Sequence, residues 1–309
     1  MTRRLSLLVW LATVPALAQV PQRTPTFEVG IEVINLNLSV TDNRNRYVTD
    51  LLAKDFAVFE DGIRQELSLF THENLPISMA VLIDSSASMD EKLATAQAAA
   101  TRFVKTLRPE DAAEIIQFND RATVLQDFTA DHAALEAAIR RTQAAGPTAL
   151  HNALYIALKE LGKQKKAGQL RRLAIVLLTD GEDTASLVTD EQVLELARKT
   201  EINIYAIRLA TDRAADRLRP SFSQASYVLT ALSRETGGQV FFPTSLNELE
   251  TVYDRIAEEL RTQYSVGYVS SNRRQDGKWR RIVVRVPERE SITVRHKLGY
   301  YGPATKPVG

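Results

Sequence analysis

The chain has 309 residues, 44% hydrophobic and 25% charged, and is therefore long enough to bury one large core or two smaller ones. This composition excludes a disordered or fibrous protein, and a formal net charge of +1 gives no electrostatic case for nucleic acid as a partner. The absence of cysteine excludes disulfides, thiolate zinc sites and a lipidated-cysteine anchor.

Residues 1–18 have the pattern of a signal peptide. Arg3 and Arg4 form a short positive start, and residues 5–17 are mostly apolar. Residues 16–18, Ala-Leu-Ala, supply a small-x-small cleavage signal. The apolar stretch is too short to span a bilayer comfortably, and no other segment approaches that length. The pattern predicts an exported protein, periplasmic or at the cell surface or outside, with no transmembrane segment.

Residues 27–74 predict the N-terminal part of a β module. Leu36, Leu38 and Val40 alternate with polar residues, as in a strand with one buried face. Two further strand-like runs, 56–60 and 63–70, are joined by Asp61-Gly62, which is a strong hairpin signal.

Residues 76–262 alternate apolar runs of strand length with amphipathic segments of helix length, which predicts a mostly parallel sheet between two helix layers. The predicted strands are 79–83, 114–118, 173–178, 202–209 and 240–242. The predicted helices are 90–107, 131–141, 149–161, 191–199, 227–236 and 246–260.

Residues 263–303 return to the pattern of the first flank. Strand-like runs at 264–269 and 279–286 lie on either side of a turn containing Asp276-Gly277, and a run at 292–295 follows. Neither flank has enough apolar surface to be stable alone. We therefore expect both flanks to pair into one small antiparallel β module, with the α/β domain inserted between them.

Polar side chains follow two of the buried strands and open one helix. The first strand is followed by Asp84-Ser85-Ser86-Ala87-Ser88-Met89, the second by Thr179-Asp180-Gly181, and Gly146-Pro147-Thr148 precedes a helix. Ligands of open α/β sheets bind at the carboxyl ends of the strands, so these side chains are expected to converge. Two carboxylates and three hydroxyls suit a hard cation such as Mg²⁺, Ca²⁺ or Mn²⁺ and suit Zn²⁺ poorly. The candidate metal ligands are Asp84, Ser86, Ser88, Thr148 and Asp180.

Each part of this pattern also has a purely structural explanation. Ser88 with Glu91 fits a capping box, Thr148 fits a helix cap, and Asp180-Gly181 fits an ordinary turn. The order, the residue types and the strand-end positions together favour a metal site.

The sequence here resembles the von Willebrand factor type A (VWA) domain family. The resemblance covers about residues 76–262 and rests on the Asp-x-Ser-x-Ser motif at Asp84, the loop Thr148, and Asp180 in Thr-Asp-Gly. It implies a Rossmann-like fold and a metal-ion-dependent adhesion site (MIDAS) holding a divalent cation, most often Mg²⁺. It also implies that the ion keeps a position for a partner's Asp or Glu carboxylate. Rim positions expected to touch such a partner are Ser85, Met89, Pro147, Glu182 and Asp183.

The flanks resemble a narrower group, the VWA-related exported proteins of acidobacteria and other bacteria. The signals are Asp55-Phe56, then Phe59-Glu60-Asp61-Gly62 with Gln65, and the terminal Gly299-Tyr300-Tyr301. This likeness bears on origin and export more than on activity.

Other functions are less well supported. Ser86 stands where a haloacid-dehalogenase phosphatase needs a second Asp, and the chain lacks Gly-x-Ser-x-Gly, His-Glu-x-x-His and a Gly-rich phosphate loop. We therefore expect a binding protein rather than an enzyme. An envelope scaffold in which the metal is structural remains the alternative, and the oligomeric state is open. His151 is expected on a helix surface or orienting the Thr148 loop. Glu182 and Asp183 are expected either to raise cation affinity or to cap the next segment.

Overall fold

A computed structural model describes residues 33–165, 170–210 and 224–304. The predicted signal peptide lies outside these residues, as do residues 27–32 of the predicted β module. Within the described ranges, no helix combines the length and the apolar character needed to cross a bilayer.

Strands and helices are numbered in chain order. The strands are β1 (Val33–Thr41), β2 (Ala57–Glu60), β3 (Ile63–Gln65), β4 (Leu67–Thr71), β5 (Ile77–Asp84), β6 (Ala112–Phe118), β7 (Ala122–Thr129), β8 (Arg172–Thr179), β9 (Ile202–Arg208), β10 (Val240–Phe241), β11 (Tyr264–Val269), β12 (Trp279–Arg285), β13 (Thr293–Arg295) and β14 (Gly299–Tyr301). The α-helices are α1 (Asp90–Lys105), α2 (His132–Arg140), α3 (Leu150–Lys163), α4 (Asp190–Arg198), α5 (Gln224–Thr236) and α6 (Leu249–Thr262).

The central sheet of the described chain has the order β10-β9-β8-β5-β6-β7. All neighbours are parallel except β6 and β7, which are antiparallel. Every residue of β5 and β8 is buried, because helices cover both faces of the sheet. One apolar core contains side chains of α1, α2 and α6, and the other contains side chains of α3, α4 and α5. The predicted α/β fold, a mostly parallel sheet between helix layers, is confirmed.

Strands from the two flanks form a second, antiparallel part of the molecule. β1 pairs with β11, and β2 pairs with β12, so each pairing joins residues more than 200 positions apart in the chain. The two sheets have the orders β13-β1-β11-β4 and β14-β12-β2-β3, and their apolar faces share one core. Leu36, Leu38 and Val40 all point into it. The prediction of a small β module built from both flanks is confirmed.

The predicted hairpin at Asp61-Gly62 is present, and the backbone angles of these two residues are those that a tight hairpin turn requires. Glu60 pairs with Ile63, and both turn residues have positive φ, 48° for Asp61 and 84° for Gly62. Two consecutive positive φ values are what a tight two-residue hairpin turn needs, and Asp-Gly adopts them readily.

Three strand predictions were wrong or incomplete. The run at 63–70 is two strands, because the chain leaves one sheet after Gln65 and joins the other at Leu67. β11 and β12 lie in different sheets, so the Asp276-Gly277 turn does not close a hairpin between them. β7 and β14 were not predicted; β7 is a largely uncovered edge strand with no continuous apolar run, and β14 has only three residues.

Candidate metal centre

The carboxyl ends of β5 and β8 lie side by side and bring two carboxylates together. Asp84 is the last residue of β5, Asp180 directly follows β8, and the register pairs Ile83 with Leu178. Both aspartates are fully buried. Parallel neighbouring strands therefore deliver two acidic side chains to one edge of the sheet, as the sequence predicts.

Two serine hydroxyls connect the loop after β5 to Asp180. Ser86 Oγ lies 3.1 Å from Ser88 Oγ, and Ser88 Oγ donates to Asp180 Oδ1 at 2.7 Å. The backbone N–H of Ser86 donates to Asp84 Oδ1 at 2.9 Å, which folds the loop back over its own first residue. Four of the five candidate ligands thus form one hydrogen-bonded cluster.

Thr148 joins this cluster at Gly181. A Cβ atom at Gly181 would lie 3.3 Å from Thr148 Oγ1 and 3.9 Å from Asp84 Oδ2. The threonine hydroxyl and the Asp84 carboxylate therefore face the same small space, and glycine leaves that space open. All five sequence-predicted ligands are brought together.

The structural explanations for Ser88 and Thr148 do not hold. The N-cap of α1 is Met89 and the N-cap of α3 is Ala149, and neither cap uses a side-chain hydrogen bond. Ser88 instead donates to Asp180. The hydroxyls of Ser88 and Thr148 are thus not used as helix caps.

Residues from a different loop satisfy the first turn of α3. Asp183 Oδ1 accepts from the backbone N–H of His151 at 3.1 Å, and Ser186 Oγ accepts from that of Asn152 at 3.0 Å. The free N–H groups at a helix start need such partners. Asp183 therefore caps α3, an earlier helix, rather than the next segment of the chain as one of the two expectations had it.

The loop of residues 183–186 is also hydrogen-bonded to the backbone of Thr148. The Thr148 N–H donates to Thr184 Oγ1 at 2.9 Å, and the Thr184 N–H donates to the Thr148 carbonyl at 2.8 Å. His151 Nδ1 lies 3.7 Å from Asp183 Oδ2, so His151 orients this loop by both its ring and its backbone. These contacts fix Thr148 relative to the segment that follows Asp180.

The cluster holds two buried carboxylates close together. Burial raises the pKa of the Asp84 carboxyl, the nearby charge of Asp180 raises it further, and hydrogen bonds from Thr179 and Ser86 oppose the rise. Thr179 Oγ1 donates to Asp84 Oδ2 at 2.6 Å. Two buried carboxylates in one cluster are costly without compensating positive charge.

Two side chains that contact the aspartates, Thr179 and Lys92, were not identified as site residues from the sequence. Lys92 Nζ lies 2.5 Å from Asp180 Oδ2, and its side chain is only 15% exposed. The available signal was a lysine in the first turn of the helix that follows the Asp-x-Ser-x-Ser loop, where a positive charge is disfavoured.

The residue types present fit a hard divalent cation. Carboxylate and hydroxyl oxygens are ligands that Mg²⁺ and Ca²⁺ prefer. No cluster of three or more His, Asp or Glu side chains suited to a metal occurs in the part of the chain that the structure describes. A cation at this edge would therefore depend on the serine and threonine hydroxyls as well as on the two aspartates.

The predicted rim is partly corrected. Ser85 and Met89 are completely buried, and Ser85 Oγ donates to the Phe118 carbonyl, so neither side chain faces a partner. Within this loop, Ala87 and Ser88 are the exposed residues. Pro147 and Glu182 are exposed, and Asp183 is half-buried in its capping role.

Comparisons with known proteins agree with this fold and this loop pattern. Residues 79–182 match the family model described as von Willebrand factor type A domain. The uncharacterized protein sll0103 of Synechocystis sp. is 34% identical over 112 residues, which are 35% of this chain and 26% of that protein. This chain therefore matches about a quarter of the length of that relative.

Solved structures support the fold. A von Willebrand factor type A protein from Catenulispora acidiphila has a TM-score of 0.50 at 14% identity, covering 90% of this chain and 76% of that one. Proximal thread matrix protein 1 from the mussel byssus has a TM-score of 0.51 at 20% identity, covering 65% and 50%. A further structure of that byssus protein, with a zinc-occupied MIDAS motif, has a TM-score of 0.50 at 18% identity, covering 66% and 50%.

The narrower likeness to acidobacterial proteins stays a prediction. The matched segment runs from within β5 to just beyond Asp180 and contains all five clustered side chains. Residues 79–182 therefore belong to the von Willebrand factor type A domain family.

Proposed function

We propose that this protein is an exported, metal-dependent binding module. Its five clustered oxygen ligands (Asp84, Ser86, Ser88, Thr148 and Asp180) hold one divalent cation, and the ion binds an Asp or Glu carboxylate of a protein partner. The observation that carries the proposal is the continuous contact from Ser86 through Ser88 to Asp180, in which Ser88 is exposed to solvent. The signal-peptide pattern of residues 1–18 supports the export part of the proposal.

Mg²⁺ is the proposed ion, and the spacing of the oxygens, which is that of ordinary hydrogen bonds, is close to what this ion needs. Adjacent ligands of an octahedral ion lie about 2.9 Å apart for Mg²⁺ and about 3.3–3.7 Å apart for Ca²⁺, given their usual metal–oxygen distances. The Ser86–Ser88 and Ser88–Asp180 separations are 3.1 and 2.7 Å. Mn²⁺, which takes similar ligands, remains a substitute, and the zinc-occupied MIDAS of the byssus protein makes Zn²⁺ a necessary comparison.

Each side chain has a defined task in this proposal. Asp84 and Asp180 provide two negative charges, while Ser86, Ser88 and Thr148 provide neutral oxygens. The bound ion would supply an electrophilic position for the partner's carboxylate. Because Thr148 and Thr184 are joined by two hydrogen bonds, the Thr148 loop is held in place before a partner arrives.

Binding is better supported than catalysis. The histidine beside the site, His151, contacts Asp183, and Ser186 Oγ donates to the same carboxylate at 2.5 Å. The aspartate lies between the histidine and the serine, so no imidazole is placed to take the serine proton. A hydrolase of the Ser-His-Asp type needs the histidine in the middle.

The proposal is tested by affinity capture from an envelope extract of the source organism. Immobilised protein is compared with Mg²⁺, with EDTA, and as Asp84→Asn, an isosteric change that removes one charge without opening a cavity. A fourth arm uses extract whose carboxylates have been amidated with carbodiimide and glycinamide. We expect the same partner to be retained only by unmodified protein, in Mg²⁺, from untreated extract.

Ser85→Ala is the matched control, because Ser85 lies in the same loop but points into the interior. It should capture as the wild type does. Identical capture in Mg²⁺, in EDTA and by Asp84→Asn would sink the binding proposal. If metal removal lowered the melting temperature while capture persisted, the envelope-scaffold alternative would be favoured.

A further inference from the structure

Lys92 occupies an unfavourable place for a lysine. It is the third residue of α1, and the start of a helix carries partial positive charge, so acidic residues are preferred there. The two residues before it, Asp90 and Glu91, follow that preference. The lysine side chain is also 15% exposed, although lysines usually keep their ammonium group in water. A compensating interaction must hold it.

That interaction is with the metal cluster. Lys92 Nζ contacts Asp180 Oδ2 at 2.5 Å, while Asp180 Oδ1 accepts from Ser88. The two oxygens of one carboxylate are thus divided between a proposed metal ligand and a cation of the protein itself. Asp180 is completely shielded from solvent, so its charge needs a partner whenever no ion is present.

A count of charges shows what the lysine does. Asp84 and Asp180 give −2, and Lys92 brings the cluster to −1. A cluster at −2 attracts a dication more strongly than a cluster at −1, because the attraction scales with the product of the charges. Lysine, unlike arginine, makes this contact as a point charge on a flexible stem, so it can be displaced.

We propose that Lys92 is a built-in competitor for the metal. Its ammonium group neutralises Asp180 in the metal-free protein and leaves Oδ2 when a divalent ion binds. This rests on the proposed metal-binding function and deepens it: the metal affinity is set below what the oxygen ligands alone would give, and the metal-free protein is kept stable.

The test is a calorimetric titration of Mg²⁺ into the full chain, with melting temperatures in EDTA and in Mg²⁺. Lys92→Met keeps the stem and removes the charge. We expect its dissociation constant for Mg²⁺ to fall about tenfold. We also expect its melting temperature to fall by several degrees in EDTA and to recover in Mg²⁺. Lys92→Arg keeps the charge in a group that is harder to displace, so it should bind Mg²⁺ no more tightly than wild type.

Lys105→Met is the matched control, since Lys105 lies at the other end of α1 with an exposed side chain and also carries one positive charge. It should leave Mg²⁺ affinity unchanged, which separates a local effect from a change in net charge. An unchanged or weaker Mg²⁺ affinity in Lys92→Met, with the wild type binding normally, overturns the Lys92 proposal alone. A wild-type protein that binds no divalent ion overturns the proposed function and this inference together.

Discussion

Asp180 in the α/β domain and Glu60 in the β module are both shielded from solvent, but their partners differ in kind. Glu60 Oε2 accepts from the hydroxyls of Tyr268 and Tyr300, each at 2.9 Å, and Oε1 accepts from Ser270 at 2.6 Å. Its ion-pair partner is Arg280, 3.5 Å away and itself buried. Among the described residues, the side-chain partners of Asp180 are Ser88, which is exposed, and Lys92, which has a flexible stem.

The difference separates a structural carboxylate from one suited to binding. Arg280 is permanently charged and anchored by further hydrogen bonds to backbone carbonyls of Asn272 and Arg274, so nothing around Glu60 can easily leave. Around Asp180, a serine hydroxyl can turn from donor to acceptor and a lysine can swing to solvent. A saturated, closed cluster stabilises the fold, whereas displaceable partners are what a carboxylate that binds an ion would need.

The largest effect is expected for Glu60, the structural carboxylate, on the free energy of unfolding. Glu60→Gln leaves Arg280 buried without its counter-charge, and removing one member of a buried pair costs about 3 kcal/mol or more. We expect the free energy of unfolding in urea to fall by that amount, with no change in Mg²⁺ affinity of the folded protein. A loss below about 1 kcal/mol would show that the tyrosine hydroxyls alone satisfy this cluster.

Glu114 in β6 is a third buried carboxyl, and it differs from both Glu60 and Asp180. Its Oε2 atom has no hydrogen-bond partner among the described residues. Burial, aided by the charges of Glu160 and Asp127, raises its pKa to about 7 from the usual 4.5. Between these two pH values the unfolded chain releases a proton that the folded chain keeps. The resulting destabilisation therefore grows as pH rises from 4.5 to 7 and is fully present above pH 7.

Replacing Glu114 with glutamine removes this ionisation. Relative to wild type, Glu114→Gln should gain at most about 3 kcal/mol of stability at pH 8 and nothing near pH 4. The measurement is urea denaturation of both proteins at the two pH values. A constant difference between them at all pH values would mean that Glu114 does not titrate differently on folding.

Asp180→Asn tests the carboxylate whose partners can be displaced. We expect Mg²⁺ affinity to fall at least about 100-fold, because the site loses half of its negative charge. Stability in EDTA should change by less than about 1 kcal/mol, since Lys92 can move to solvent and asparagine still accepts from Ser88. Calorimetric titration and urea denaturation in EDTA give the two values. A large stability loss with unchanged Mg²⁺ affinity would make Asp180 resemble Glu60.

The smallest effect is expected for single hydroxyls. Ser88→Ala should weaken Mg²⁺ binding about tenfold, equal to about 1.4 kcal/mol, and should cost about 1 kcal/mol of stability in EDTA, because Asp180 loses a hydrogen bond. Ser85→Ala should cost a similar amount of stability by loss of the bond to Phe118 but leave Mg²⁺ binding unchanged. Equal Mg²⁺ affinities in the two variants would contradict the assignment of Ser88 as a ligand.

The site was more predictable than its surroundings for a physical reason. The four residues Asp84, Ser86, Ser88 and Asp180 lie at or just after the ends of wholly buried strands with long apolar runs, so local pattern and the parallel-sheet rule suffice to bring them together. The partners of these residues come from contacts between distant segments. That Asp183 caps α3 depends on loop packing that no local pattern encodes. The contact of Lys92 with Asp180 had one local signal, a lysine in the first turn of α1, which does not name its partner.

The same distinction applies to the β module. The alternation of Leu36, Leu38 and Val40 indicated a strand with one buried face, and the Asp61-Gly62 turn indicated its hairpin. The division of the run at 63–70 between two sheets had no signal, because each half keeps strand propensity and only the tertiary pairing with β11 decides where it goes.

The most direct test of the central claim is a crystal structure of the protein grown with Mn²⁺, examined for anomalous scattering. We expect one peak per chain within about 2.5 Å of the Ser86 and Ser88 hydroxyl oxygens, with Lys92 Nζ withdrawn from Asp180. A peak elsewhere, or no peak beside these serines at saturating Mn²⁺, would contradict the account.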